Sequence, residues 1–205
     1  WLVRAAEVQV LAPIPLGSAL DATTTVVGHR RVWARRRAEF RPADGGALLA
    51  WVHTDWVLID ARGRITRVPE IFGEHFPAPV ASDEIVRVPL PASPAGAHRR
   101  TFRVRPQELD PMDHVNNAVY LDWFEESVLL AAPDRGGEVL SRLPRRYVLE
   151  YAAAADAGAE LEAATWSDGS SWQTRTTAAG ADLFRARLES QAVPAGAGVD
   201  GLRGR

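Results

Sequence analysis

Apolar and polar positions alternate through much of the first part of the chain. Ala6, Val8 and Val10 alternate with Glu7 and Gln9, the period of a strand with one buried face. Pro13 and Pro15 end that run, and residues 20–27, rich in Thr and Val, read as a second strand. Residues 32–40 mix Trp33 with Arg35, Arg36 and Arg37, and residues 47–59 form a long apolar run with Trp51 and Trp56. Ala43-Asp44-Gly45-Gly46 reads as a turn and Ala61-Arg62-Gly63-Arg64 as a hairpin loop, so this part is expected to be one antiparallel sheet.

The period changes after residue 100. Residues 101–105 alternate like a strand, and Tyr120, Trp123, Phe124, Ser127, Val128 and Ala131 then recur at about 3.6 residues, the spacing of a helix with one apolar face. Asn116 or Asn117 is placed to cap that helix, and Pro133 with Gly136-Gly137 is expected to stop it. Strands resume at 145–151, 159–166, 172–177 and 183–190. The predicted class is α+β, with a curved antiparallel sheet wrapped around a central helix in this second part.

Five prolines between residues 77 and 100 give that stretch the composition of an extended linker, and the Gly-rich tail over 191–205 is expected to be disordered. The two parts share a weak repeat. Gly17-Ser18-Ala19-Leu20-Asp21-Ala22 matches Gly158-Ala159-Glu160-Leu161-Glu162-Ala163, and Trp33 and Gly46-Ala47 find Trp172 and Gly180-Ala181, each pair roughly 140 residues apart. Nothing in the first part matches the strand and helix of 101–147. Because the chain also opens on Trp1 and has Met112 as its one methionine, it is expected to be N-terminally incomplete.

Composition narrows the chemistry. Hydrophobic residues at 46% and charged residues at 24% fit a globular chain, and a net charge of -2 offers no general attraction for nucleic acid. No cysteine is present, which excludes disulfides and a thiolate nucleophile. All 24 basic residues are arginine, so Schiff-base chemistry is excluded too. His29, His53, His75 and His98 lack ligand spacing, so no metal site is expected. No apolar run reaches the about 18 residues that a membrane span needs.

The informative stretch runs from Glu108 to Glu126, where ionisable residues in a tight loop feed into the amphipathic helix. The first turn of a helix offers free backbone N–H groups that can hold a developing oxyanion, and a carboxylate on the preceding loop can activate water or attack a carbonyl. An acyl-hydrolase site and a capped helix beside a solvated acidic loop both fit these residues.

Asp110, the run His114-Val115-Asn116-Asn117, and Tyr120, Trp123 and Glu125 together resemble the signature of hotdog-fold thioesterases. The chain is most similar to the acyl-acyl carrier protein (acyl-ACP) thioesterases, which contain two tandem hotdog domains. Trp1 to Leu11, Trp51 to Asp60 with Arg67-Val68-Pro69, and Leu149-Glu150-Tyr151 support the likeness by order and spacing. The resemblance implies a partial first hotdog at 1–76, lacking its leading strand and helix, a linker at 77–100 and a complete second hotdog at 101–190. It further implies hydrolysis of fatty acyl thioesters, with acyl carrier protein as the carrier partner and no cofactor. Asp110 would be base or nucleophile and His114 would assist proton transfer or orientation. Asn116 would orient the loop or cap the helix, and the Asn117 N–H would polarise the carbonyl. Glu125 is a further candidate acid, against an exposed helix face as the alternative for it and Glu126.

Three departures matter. Plant members carry asparagine where this chain has Met112 and a Glu-Cys pair where it has Ala154 and Ala155; many bacterial relatives carry glycine where it has Asp113. An acyl-CoA thioesterase and a non-catalytic acyl-binding module therefore stay as alternatives, with a hotdog dehydratase as a less favoured third. Arg35–Arg37 and Arg99, Arg100, Arg103 and Arg105 form either a solvated face or a dock for an acidic carrier. A cytoplasmic location without nucleic-acid or membrane partners is expected, with a homodimer left open.

Overall fold

A computed structural model describes residues 1–76 and 85–190. Its elements are β1 (Leu2–Val10), β2 (Leu20–Arg30), β3 (Trp33–Pro42), β4 (Ala50–Val57), α1 (Glu70–His75), β5 (His98–Arg103), a 3₁₀ turn (Pro106–Glu108), α2 (Asn117–Ala131), α3 (Gly136–Ser141), β6 (Arg145–Tyr151), β7 (Glu160–Ser167), β8 (Ser171–Ala178) and β9 (Ala181–Ser190). The nine strands form one antiparallel sheet in the order β2-β3-β4-β1-β6-β9-β8-β7-β5. Both halves thus share a single sheet, joined where β1 pairs with β6.

That order is symmetric about the junction. Outward from it run β1, β4, β3 and β2 on one side and β6, β9, β8 and β7 on the other. The sequence repeat follows the same correspondence. Gly17 and Gly158 precede β2 and β7 and both hold positive φ, +85° and +72°, where glycine carries no Cβ penalty. Trp33 and Trp172 open β3 and sit in β8, and the third matched pair leads into β4 and β9. Strand β5 lies beyond β7; among the described residues no strand lies beyond β2.

Helix α2 packs on one face of the second half. Tyr120, Trp123, Phe124 and Val128 are buried against Tyr147, Leu149 and Tyr151 of β6 and Phe184 and Leu188 of β9. Each such large side chain stabilises the fold by about 2 kcal/mol through burial. Alternate positions face the other way, and there a row of Cα partners runs Arg35, Asp55, Ala5, Glu150 and Arg185. Asp55 and Glu150 are only 1% and 3% exposed. Residues 85–90 lie against them: the Val86 N–H donates to Asp55 at 2.8 Å and the Val88 N–H to Glu150 at 3.0 Å. Arg35 forks onto Asp55 at 2.6 and 2.8 Å, and Arg87 reaches Glu150 at 2.8 Å. Burial raises the Glu150 pKa, but these donors and cations outweigh it and leave the group below its usual value.

Two short helices were not expected from sequence. α1 carries no buried residue, and its Phe72 rests on Trp1 and edge-on to His29. α3 begins at Gly136, which the periodicity marks as a stop. α2 does end at Ala131, and the chain then folds back so tightly that a Cβ on Gly136 would sit 2.8 Å from the Leu129 Cα. The helix stops where expected, before Pro133, and Gly136 permits the close approach of a second helix, α3, to α2. The tail at 191–205, read as disordered, and residues 77–84 of the expected linker lie outside the described residues. None of the described helices is long and apolar enough to cross a membrane.

Candidate active site

Residues 108–117 form a closed loop between the 3₁₀ turn and α2. Leu109 bridges Val115, the Asp110 N–H donates to the His114 carbonyl at 2.7 Å, and the Asp113 N–H donates to the Asp110 carbonyl at 3.1 Å. Asp113 holds φ +60°, a left-handed conformation that Asp tolerates better than most residues. Glycine, which many bacterial relatives carry there, meets the same backbone demand. One carboxylate oxygen of Asp110, Oδ1, accepts the N–H groups of Met112 at 2.8 Å and His114 at 3.2 Å. The side chain is thereby oriented, and Oδ2 accepts no hydrogen bond among the described residues. His114 is bridged to Asp156, and the Val115 N–H donates to the Ala155 carbonyl at 3.2 Å.

The start of α2 is partly satisfied. Asn116 is its N-cap: Oδ1 accepts the Ala118 N–H at 2.9 Å, and its carbonyl accepts the Val119 N–H at 3.0 Å. The Asn117 N–H has no acceptor among the described residues, while its carbonyl accepts the Tyr151 hydroxyl at 3.1 Å. One first-turn donor therefore remains available at a helix end that carries partial positive charge.

Asp110, His114, Asn117 and Tyr120 line one cavity of about 330 Å³, together with Tyr151 and residues 152–154. Its opposite wall comes from the first half, with Leu2, Val3, Val57, Ile59 and Ile65 supplying an apolar surface beside Arg4. Arg4 reaches across the junction, donating to the Tyr151 carbonyl and lying 3.6 Å from Glu150. Polar groups on one side and aliphatic groups on the other suit a reactive carbonyl carrying an apolar chain.

The other sequence candidates lie elsewhere. Met112 is 64% exposed and outside the cavity wall. Glu125 is also outside it and accepts the hydroxyl of Tyr147. Glu126 pairs with Arg100 at 2.6 Å. Arg35, Arg37, Arg99 and Arg105 are likewise ion-paired within the chain, with Asp55, Glu39, Glu162 and Glu108. Among the described residues no group of three His, Cys, Asp or Glu side chains could hold a metal ion.

Glu108 escaped the sequence reading. It is 5% exposed, and its carboxylate accepts the Arg105 N–H at 2.7 Å, the Arg105 Nε–H at 2.9 Å and the Trp123 indole N–H at 3.2 Å. Its carbonyl accepts the Asn116 N–H at 2.9 Å, so one residue ties both ends of the loop to α2. Burial raises its pKa, and the Arg105 and Trp123 bonds more than reverse that. An Arg-Pro-Gln-Glu stretch lacks the Ser or Thr that signals a capping box, so no local signal pointed to it.

A family model described as the acyl-ACP thioesterase N-terminal domain matches residues 1–76, and one described as the C-terminal domain of the same family matches residues 92–182. The chain belongs to the acyl-ACP thioesterase family. A chloroplastic acyl-[acyl-carrier-protein] hydrolase of Cuphea viscosissima is 29% identical over 135 residues, 62% of this chain and 33% of that protein. This acyl-ACP thioesterase family chain thus spans about a third of the length of the curated relatives it matches. Among solved structures, the 12:0-ACP thioesterase from Umbellularia californica matches with a TM-score of 0.74 and 26% identity over 93% of this chain and 75% of that one. An acyl-ACP thioesterase from Bacteroides thetaiotaomicron, 17% identical, shares the fold with a TM-score of 0.70 over 93% of this chain and 76% of that one. The fold is the α+β hotdog arrangement that the resemblance implied.

Proposed function

We propose that this chain hydrolyses fatty acyl thioesters carried on acyl carrier protein, releasing free fatty acid. The observation that carries the reading is the meeting of Asp110, His114 and the open Asn117 N–H on one wall of a cavity whose facing wall is aliphatic. In this reading the acyl chain lies against the first half and the thioester carbonyl faces the start of α2. Asp110, held by two backbone donors at Oδ1, takes a proton from water at Oδ2. The water oxygen bonds to the carbonyl carbon, and the oxyanion is held at the helix N-terminus. The C–S bond then breaks, the thiol leaves with a proton that His114 helps deliver, and the carboxylic acid remains. Asn116 acts as the cap that sets the helix end, and Glu125 takes no part.

One observation favours a second reading. Ala154 lines the cavity and Ala155 is buried beside it, so methyl groups stand where plant members carry a glutamate and a cysteine. A module that binds acyl chains without turnover would need no reactive group there. Incubation with acyl-ACP separates the two readings. The hydrolase releases free fatty acid over many turnovers, and faster from acyl-ACP than from acyl-CoA. Stoichiometric capture of the acyl carrier with no acid released would establish the binding module instead.

A further inference from the structure

The Asn117 N–H can hold an oxyanion only while it stays aimed at the cavity, and the first turn of a helix is prone to fray. Asn116 does not hold it, because its two cap bonds go on to the N–H groups of Ala118 and Val119. The bond that reaches Asn117 itself comes from the sheet. The Tyr151 hydroxyl donates to the Asn117 carbonyl at 3.1 Å. That carbonyl lies within α2, where the N–H four residues on also serves it, so the fold does not need Tyr151 to satisfy it.

Tyr151 is itself firmly placed. It ends β6 opposite Phe184 of β9, and its ring centroid lies 5.3 Å from that of Phe184 and 5.8 Å from that of Tyr120. The Ala152 N–H donates to the Leu183 carbonyl at 2.7 Å, and Arg4 of the first half donates to the Tyr151 carbonyl. Tyr151 is 9% exposed and lines the cavity beside Asn117. Burial pushes its pKa well above the usual tyrosine value, so the hydroxyl keeps its proton and acts as a donor at neutral pH. A side chain anchored to both halves of the sheet thus grips the residue whose N–H is open at the cavity.

We infer that Tyr151 is a positioning residue: its hydroxyl holds the Asn117 carbonyl and so keeps the start of α2 where the Asn117 N–H meets the oxyanion. The inference rests on the hydrolase reading above. The hydroxyl acts through Asn117 and transfers no proton; it spares the site from reorganising as charge builds on the carbonyl oxygen.

Tyr151→Phe removes only the hydroxyl and keeps the ring in its aromatic cluster. The variant is expected to lose about 10-fold in kcat on acyl-ACP, less than a deleted oxyanion donor would cost, because the N–H remains but is less well held. KM, Tm and the pH dependence of kcat should change little, since Asp110 is still the base. A second readout does not need turnover. Acyl carrier protein loaded with a ketone analogue, in which methylene replaces the thioester sulfur, reports the bound carbonyl by its infrared stretch. In the parent that stretch should lie at lower frequency than in Tyr151→Phe, because a loosened donor leaves the C=O bond less polarised. Parental kcat in the variant, a raised KM at parental kcat, or the same carbonyl frequency in both proteins would overturn the assignment. Absence of turnover by the parent contradicts the hydrolase reading separately, and the infrared comparison still decides the role of Tyr151.

Discussion

At the residue scale, the site depends on which polar atoms are already committed. Sequence left Asn116 between loop orientation and helix capping; the structure makes it the N-cap, bonded to Ala118 at 2.9 Å. Asn116→Ala should cost about 1 kcal/mol in urea unfolding, the usual loss for a removed cap. Asn116→Asp keeps an acceptor for the same N–H and should retain parental stability. A parental unfolding midpoint in the alanine variant would show that the cap contributes nothing. The loop chemistry was legible because Asp110, His114 and Asn117 lie within eight positions and their geometry is local. Glu108 was not read as a site residue. Burial of a carboxylate between Arg105 and Trp123 emerges only after α2 has docked.

At the element scale, alternation was a sufficient guide wherever a strand has one buried face. β6 matches its expected span, and the other strands differ from theirs mainly at the ends. The short helices α1 and α3 were hidden because six residues carry little periodic signal. The β7–β8 turn offers a test at this scale. Asp168 Oδ1 accepts the N–H groups of Ser170 at 2.9 Å and Ser171 at 2.8 Å, and Oδ2 accepts Gln173 Nε2 at 2.5 Å. The Ser170 N–H and hydroxyl, with Ser171, pull its pKa from 3.8 to about 2. A depressed carboxylate pKa stabilises the fold above its unfolded value and ceases to do so as pH falls through the folded one. Asp168→Asn should therefore be less stable than the parent at neutral pH, and the gap should close as pH falls from about 4 to about 2. Urea titrations across that range check it; a gap independent of pH would assign the effect to turn shape alone.

At the scale of the whole molecule, the two halves cooperate in one sheet and one cavity. The symmetric strand order explains why a faint repeat was detectable in sequence: β2, β3 and β4 take the same places in their half of the sheet as β7, β8 and β9 take in theirs. What sequence could not show is how residues 85–90 cross the sheet onto Asp55 and Glu150, since those bonds join positions 31 and 62 residues apart. Nor could it show that Leu2, Val57 and Ile59 would face Asp110 across the junction. The central claim is that this shared cavity is a hydrolytic site with Asp110 as its base. The most direct measurement is steady-state release of fatty acid from acyl-ACP by the parent and by Asp110→Asn, which keeps the side chain's shape and its acceptor oxygen. The account predicts a loss of about 10²-fold or more in kcat with the fold intact by circular dichroism. Hydrolysis by Asp110→Asn at the parental rate would contradict it.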